Sequence, residues 1–253
     1  MSSLLLSLVS GMFIGGAAGY LGSLMLSRRM ALVAGPLGHL TLPGIALALL
    51  WDFDVSLGAF PFVILGVVVI WLLEMRTKLP MEALTALVFA SGVAVAFLFL
   101  PIEQAEAALV GDISKAGAAD TALSVAACLA IMLAVKRTYP KLVLGNISED
   151  LAASEGIDVK RYDLLYLFLI AVIVALGVKM VGGLLTAALV AIPPSAARNI
   201  GKSLKQYTLG AMVIGIGSAV LGIVLSRVTG FPAGPLIVLV STVIFVLTLP
   251  FAR

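Results

Sequence analysis

Charge is scarce in this chain. Asp, Glu, Lys and Arg make up 11% of the 253 residues, against about 25% in an ordinary soluble domain. Apolar residues make up 62%, where about 45–50% is usual. A soluble fold of this size needs a largely polar surface and has no room to hide so much apolar side chain. A cytosolic enzyme, a nucleic-acid binder and a disordered chain are therefore excluded. The sequence reads as an all-α integral membrane protein, with residues 1–253 forming one transmembrane domain.

Cysteine and histidine are almost missing. Cys128 is the single cysteine, so there is no intrachain disulfide and no Cys-rich zinc site. It lies in an apolar run and reads as a small packing residue. His39 is the single histidine, which excludes chemistry needing two imidazoles from one chain. No His-Glu-x-x-His pattern is present. A basic start is missing too. The first Lys or Arg is Arg28, after the apolar run Leu4–Leu26, so that run is expected to stay as a span rather than act as a signal peptide. Phosphate loops are also lacking. Gly201-Lys202-Ser203 has Ala196 where the earlier glycine belongs, and Gly215-x-Gly217 has Val220 in place of a third glycine. If the chain belongs to an active pump, a separate subunit hydrolyses the ATP.

Long apolar runs are what the sequence has. A helix crosses the hydrocarbon core with about 20 apolar residues. The expected spans are Leu4–Leu26, Ala31–Trp51, Leu57–Leu73, Ala83–Leu100, Ala119–Val135, Leu164–Met180, Leu184–Ala197, Tyr207–Ser226 and Gly234–Leu249. That gives about nine transmembrane helices, or eight plus a broken or re-entrant one near Gly182–Gly183. An N-out, C-in arrangement puts thirteen Lys and Arg inside and only Lys115, Lys179 and Arg227 outside, which follows the positive-inside rule. Asp52, Asp54, Glu103, Glu106 and Asp112 then make the outer face acidic. Gly11, Gly15 and Gly19, with Gly22 nearby, form a small-residue stripe suited to close helix packing in lipid. Gly215, Gly217 and Ala219 read the same way. Pro193 and Pro194 are expected to mark a kink or a gate-forming helix break, because each removes a backbone donor.

The stretch 136–163 is the sizeable cytoplasmic loop in this reading. Within it, Asn146 is placed to N-cap a short helix, with Glu149 three residues on. Gly156 is placed to close it. Isolated helices this short are unstable in water, so this one reads either as a connector lying on the membrane surface or as a docking element, with Leu151, Ala152 and Ala153 as its packing surface.

Four stretches resemble the permease subunits of metal-type ABC importers, the zinc, manganese and iron uptake family. The first runs from Arg28-Arg29-Met30 through Pro36 and His39 to Pro43-Gly44. The second is Leu109-Val110-Gly111-Asp112-Ile113. The third carries Ser148, Asp150, Ala152 and Gly156-Ile157. The fourth runs from Lys179 through Val181-Gly182 to Ile192-Pro193 and Ala196-Ala197-Arg198. The resemblance implies a fold like that of vitamin B12-type importer permeases and a pore made by two permease copies. It also implies two cytoplasmic ATPase subunits contacting Ser148–Gly156, and an extracytoplasmic metal-binding protein delivering the ion. The setting would be the cell membrane of a prokaryote. A divalent metal would be the cargo, and no cofactor would be bound permanently.

One departure stands out. The family usually has an aspartate four residues before the histidine, where the pair shares a helix face. Here that position is Gly35, followed by Pro36. His39 itself lies mid-span in this reading, where an ionisable group is a functional-site candidate: either a transient ion contact, since neutral imidazole suits Zn, Mn or Fe, or a histidine hydrogen-bonded to a neighbouring helix. Thr41, carbonyls freed near Pro36 or Pro193, or the second copy's His39 are its candidate co-ligands. A non-metal or chelated-metal cargo is the alternative within the same fold. A self-sufficient secondary transporter is another, but it would want more ionisable residues mid-span than His39 alone.

Overall fold

A computed structural model describes residues 3–27, 34–53, 55–77, 79–99, 113 and 117–252. Among them are eleven α-helices and no strand. They are α1 (Ser3–Ser27), α2 (Ala34–His39), α3 (Leu42–Leu50), α4 (Val55–Arg76), α5 (Met81–Phe99), α6 (Ala118–Ile147), α7 (Glu149–Ser154), α8 (Val159–Val181), α9 (Gly183–Ile200), α10 (Leu204–Thr229) and α11 (Ala233–Thr248). A 3-10 turn, Leu249–Phe251, follows α11.

Seven helices among the described residues are long and apolar enough to cross a membrane: α1, α4, α5, α6, α8, α10 and α11. In lipid no water satisfies the backbone, so a helix that closes its own hydrogen bonds is the available solution. The chain is therefore a multi-pass membrane protein.

Two expectations about helix ends are corrected, and a third point is refined. The span expected at Ala31–Trp51 is not one helix: α2 and α3 are separated at Leu40–Thr41. Pro43 stands in the first turn of α3, a position that needs no backbone donor, so the chain restarts a helix there. The stretch 136–163 is mostly helix, because α6 runs on to Ile147 and α8 starts at Val159. The break near the end of the sixth span is a single residue, Gly182, with φ 85° and ψ 159°, and α9 follows at once.

α1 is the centre of the bundle. It packs on α10 most extensively, then on α6 and α9. Its glycine stripe explains why. A Cβ on Gly15 would strike the Gly215 carbonyl, and one on Gly215 would strike the Gly15 carbonyl. The two backbones touch, as small-residue seams in lipid allow. Gly19 meets the Ala211 carbonyl in the same way. Gly217 faces open space and takes no part, contrary to its expected packing role. Two tyrosines tie further helices to α1: Tyr166 of α8 donates to the Leu21 carbonyl at 2.8 Å, and Tyr207 of α10 donates to the Ser23 carbonyl at 3.0 Å. α3, α4 and α5 form a second group, with Gly44 and Gly58 in mutual backbone contact between α3 and α4. α8 packs against α4, α9, α6 and α1, and so joins the two groups. Cys128 is fully buried in the main apolar core, as a packing residue should be.

Candidate functional site

The break between α2 and α3 positions His39. It is the last residue of α2, where the final carbonyls lose their helical donors. The Leu40 N–H still reaches the Pro36 carbonyl at 3.1 Å, and the fully buried Thr41 hydroxyl donates to the Gly38 carbonyl at 2.6 Å. Thr41 thus closes the break and spends its hydroxyl on the backbone. Leu40 reaches the positions where Gly66 of α4 and Gly92 of α5 lack a side chain. His39 is half-buried, and its ring lies 5.0 Å from that of Phe89 on α5, tilted by 55°. Among the described residues no group of three or more His, Cys, Asp or Glu comes together. Thr41, a candidate co-ligand by sequence, shares the break with His39.

Sequence reasoning missed Leu40, Phe89, Gly66 and Gly92. The two prolines flanking the break, Pro36 and Pro43, were the available signal for it. Phe89 carries no signal at all, because it is one apolar residue in an apolar span.

The second candidate element is α7. Ser148 is its N-cap, with Oγ accepting from the Leu151 N–H at 3.2 Å. Asn146 is not the cap, because α6 continues past it. At the other end Gly156 has φ 71°. Its N–H donates to the Ala153 carbonyl at 3.0 Å, and the Ile157 N–H donates to Ala152 at 2.9 Å. This is the Schellman arrangement, which needs a left-handed residue at that position. Ala152 is fully buried, while Asp150, Ala153 and Glu155 are exposed. Leu151 is 49% exposed and Ile147, just before the cap, 73%. One end of the bundle thus carries a rigid capped turn with an apolar edge.

Pro193 and Pro194 lie inside α9, which is continuous through them. The helix is not interrupted at these residues; the interruption is at Gly182, where a broken segment was the separate expectation. The prolines leave the Leu189 and Val190 carbonyls without their usual helical donors. The Val190 carbonyl points at Gly22 of α1, where a Cβ would collide with it. The pair thus shapes a close α1–α9 contact.

Residues 1–252 of the chain match the model of the ABC 3 transport family. The chain belongs to that family. This ABC 3 chain is 25% identical over 96% of its length to the manganese import system permease protein ScaB of Streptococcus gordonii, covering 88% of that protein. It is 31% identical over 91% of its length to the zinc transport system membrane protein TroC of Treponema pallidum, covering 83% of it. Its fold is similar to PsaBC from Streptococcus pneumoniae, solved in complex with Fab, with a TM-score of 0.85 at 23% identity. That likeness covers 98% of this chain and 91% of the other.

In this ABC 3 chain the resembling stretches fall on three structural features: the α2–α3 break, the capped turn at Ser148–Ile157, and α9 after Gly182. The stretch Leu109–Ile113 lies outside the described residues except for Ile113, whose carbonyl accepts from Ser7 at 3.2 Å. Arg28, Arg29, Asp54, Lys78, Glu103, Glu106, Asp112, Lys115 and Arg253 also lie outside them.

Proposed function

We propose that this chain is the permease subunit of an ABC importer for divalent transition-metal ions such as Zn, Mn or Fe(II). The observation that carries the reading is the full-length family match, with manganese and zinc permeases among the relatives. His39 at the helix break supplies a chemically suited first ligand. Imidazole with a few carbonyl or water oxygens binds such ions weakly enough to let them leave. The missing carboxylate at Gly35 makes that grip weaker still.

In this reading α2–α3 and α9 join the seven long helices to give nine crossings, N-out and C-in, in a prokaryotic cell membrane. Two copies form the pore. The α7 turn, through Ser148, Asp150, Ala152 and Gly156, docks each copy onto a cytoplasmic ATPase subunit. An extracytoplasmic metal-binding protein delivers the cargo to the outer face. Pro193 and Pro194 hold α9 against α1 beside the path. ATP is hydrolysed on the partner subunits, and the metal passes as substrate.

The test is uptake of labelled Zn, Mn and Fe(II) by cells lacking the chain, with and without its return on a plasmid. Restored uptake of at least one ion, lost again in His39→Ala at equal expression, is the expected result. Unchanged uptake of all three ions on deletion removes metal as the cargo. Accumulation in liposomes by the purified chain alone, with no ATPase present, removes the ABC mechanism.

A further inference from the structure

A groove of about 850 Å³ lies between α1, α6 and α10, away from the His39 break. Its lining includes Tyr20, Met132, Tyr139, Leu209 and Met212, with Lys136 and Lys205. The volume falls within the roughly 300–1,000 Å³ of small-ligand clefts. Three observations say what fits there. The lining combines an apolar wall with two exposed lysines and contains no carboxylate. Lys205 stands in the first turn of α10, a helix with no acidic residue in that turn. A positive side chain there adds to the positive end of the helix dipole instead of offsetting it. Lys141, next in sequence to the lining residue Pro140, is by contrast already engaged: its Nζ donates to the Tyr162 hydroxyl at 2.7 Å. Finally, the groove is at the end of the bundle that carries α7, the basic end in which Arg198 and Lys202 also lie.

We infer that this groove holds an anionic phospholipid of the leaflet on that side. Its phosphate sits between the Lys136 and Lys205 ammonium groups. One acyl chain lies along Met132, Leu209 and Met212. Tyr20 and Tyr139 stand where the ester region of the lipid falls, the depth at which tyrosines favour the membrane interface. Charge complementarity selects the anionic headgroup over a zwitterionic one, since basic pockets between membrane helices take such headgroups. The site is separate from the metal reading and does not depend on it.

The experiment is native mass spectrometry of the detergent-purified transporter with all its subunits. It is incubated with phosphatidylglycerol or phosphatidylcholine of the same acyl chains. Phosphatidylglycerol is expected to stay bound where phosphatidylcholine is lost. Its retention is expected to fall about fivefold in K136Q or K205Q and about 25-fold in K136Q/K205Q. Equal retention of the two lipids, or unchanged phosphatidylglycerol retention in the double variant, overturns the proposal. A Leu209→Cys variant in a Cys128→Ala background supplies a second reading. Labelling of that thiol by a maleimide-bearing phospholipid supports the assignment. Oxidation to a covalent dimer overturns it, because a second copy would then cover the groove.

Discussion

Replacing Gly156 isolates one piece of backbone geometry from everything else in the fold. The residue has φ 71°. A Cβ built there meets nothing within 4 Å, so packing does not resist a larger side chain. The cost is then conformational. An L-residue in the left-handed region is disfavoured by about 1–2 kcal/mol, and a β-branched one by more. Asn tolerates the region better and serves as a C′ residue in natural helices. With about 1.4 kcal/mol per factor of ten, Gly156→Ala opens the turn about 5–30-fold more often. Only six residues form α7, too few to persist as a helix once the closing turn is lost. On the proposed docking of α7 to an ATPase subunit, affinity for that subunit is therefore expected to fall in the order Gly, Asn, Ala, Val, with Ala weakened about 5–30-fold. Titration of the purified ATPase onto nanodisc-embedded variants reads this directly. Thermal stability of the membrane bundle should stay unchanged, since no neighbour is disturbed. Wild-type affinity in Gly156→Val, or an Asn variant as poor as Val, would refute the link between the left-handed turn and docking.

Other perturbations test the remaining features. Gly15→Val drives a side chain into the Gly215 carbonyl and is expected to destabilise the bundle by about 1–3 kcal/mol or to prevent its assembly, seen as a lower melting temperature in detergent. Gly217→Ala, facing open space, is the matched control and should leave that temperature unmoved. Tyr166→Phe removes a buried donor from the Leu21 carbonyl and should cost about 1–3 kcal/mol by the same assay. Gly35→Asp places a carboxylate four residues before His39; equilibrium binding of Zn or Mn to the purified transporter should tighten while turnover slows. Faster turnover with unchanged binding would count against His39 as an ion contact.

Much of the helical frame was legible because lipid leaves the backbone few options. Long apolar runs forced α1, α4, α5, α6, α8, α10 and α11. The glycine stripe of α1 announced a close crossing, and Gly15 and Gly215 supply it. What the residues did not announce was where helices stop. The second apolar run is long enough for one span, yet it breaks at Leu40–Thr41, between Pro36 and Pro43. There Pro43 restarts the helix and Leu40 finds the space left by Gly66 and Gly92. Hydropathy cannot register such a tertiary fit. The prolines at 193 and 194 left a kink and a break both open, and the helix runs through them. Two lost ladder bonds are tolerable when a neighbouring backbone, here Gly22, closes over the spared carbonyl. For the capped turn the correct end was Gly156, whose role follows from one backbone angle. The other end was misassigned because Asn146 and Ser148 are both good caps and only the length of α6 decides between them.

The backbone contact between α1 and α10 has a mechanical consequence. Carbonyls of one helix interlock with glycines of the other at successive turns, so the pair cannot slide or roll without collision. It forms a keel. The helices on either side of Leu40–Thr41 and of Gly182 are not locked in that way, because the chain itself is interrupted there.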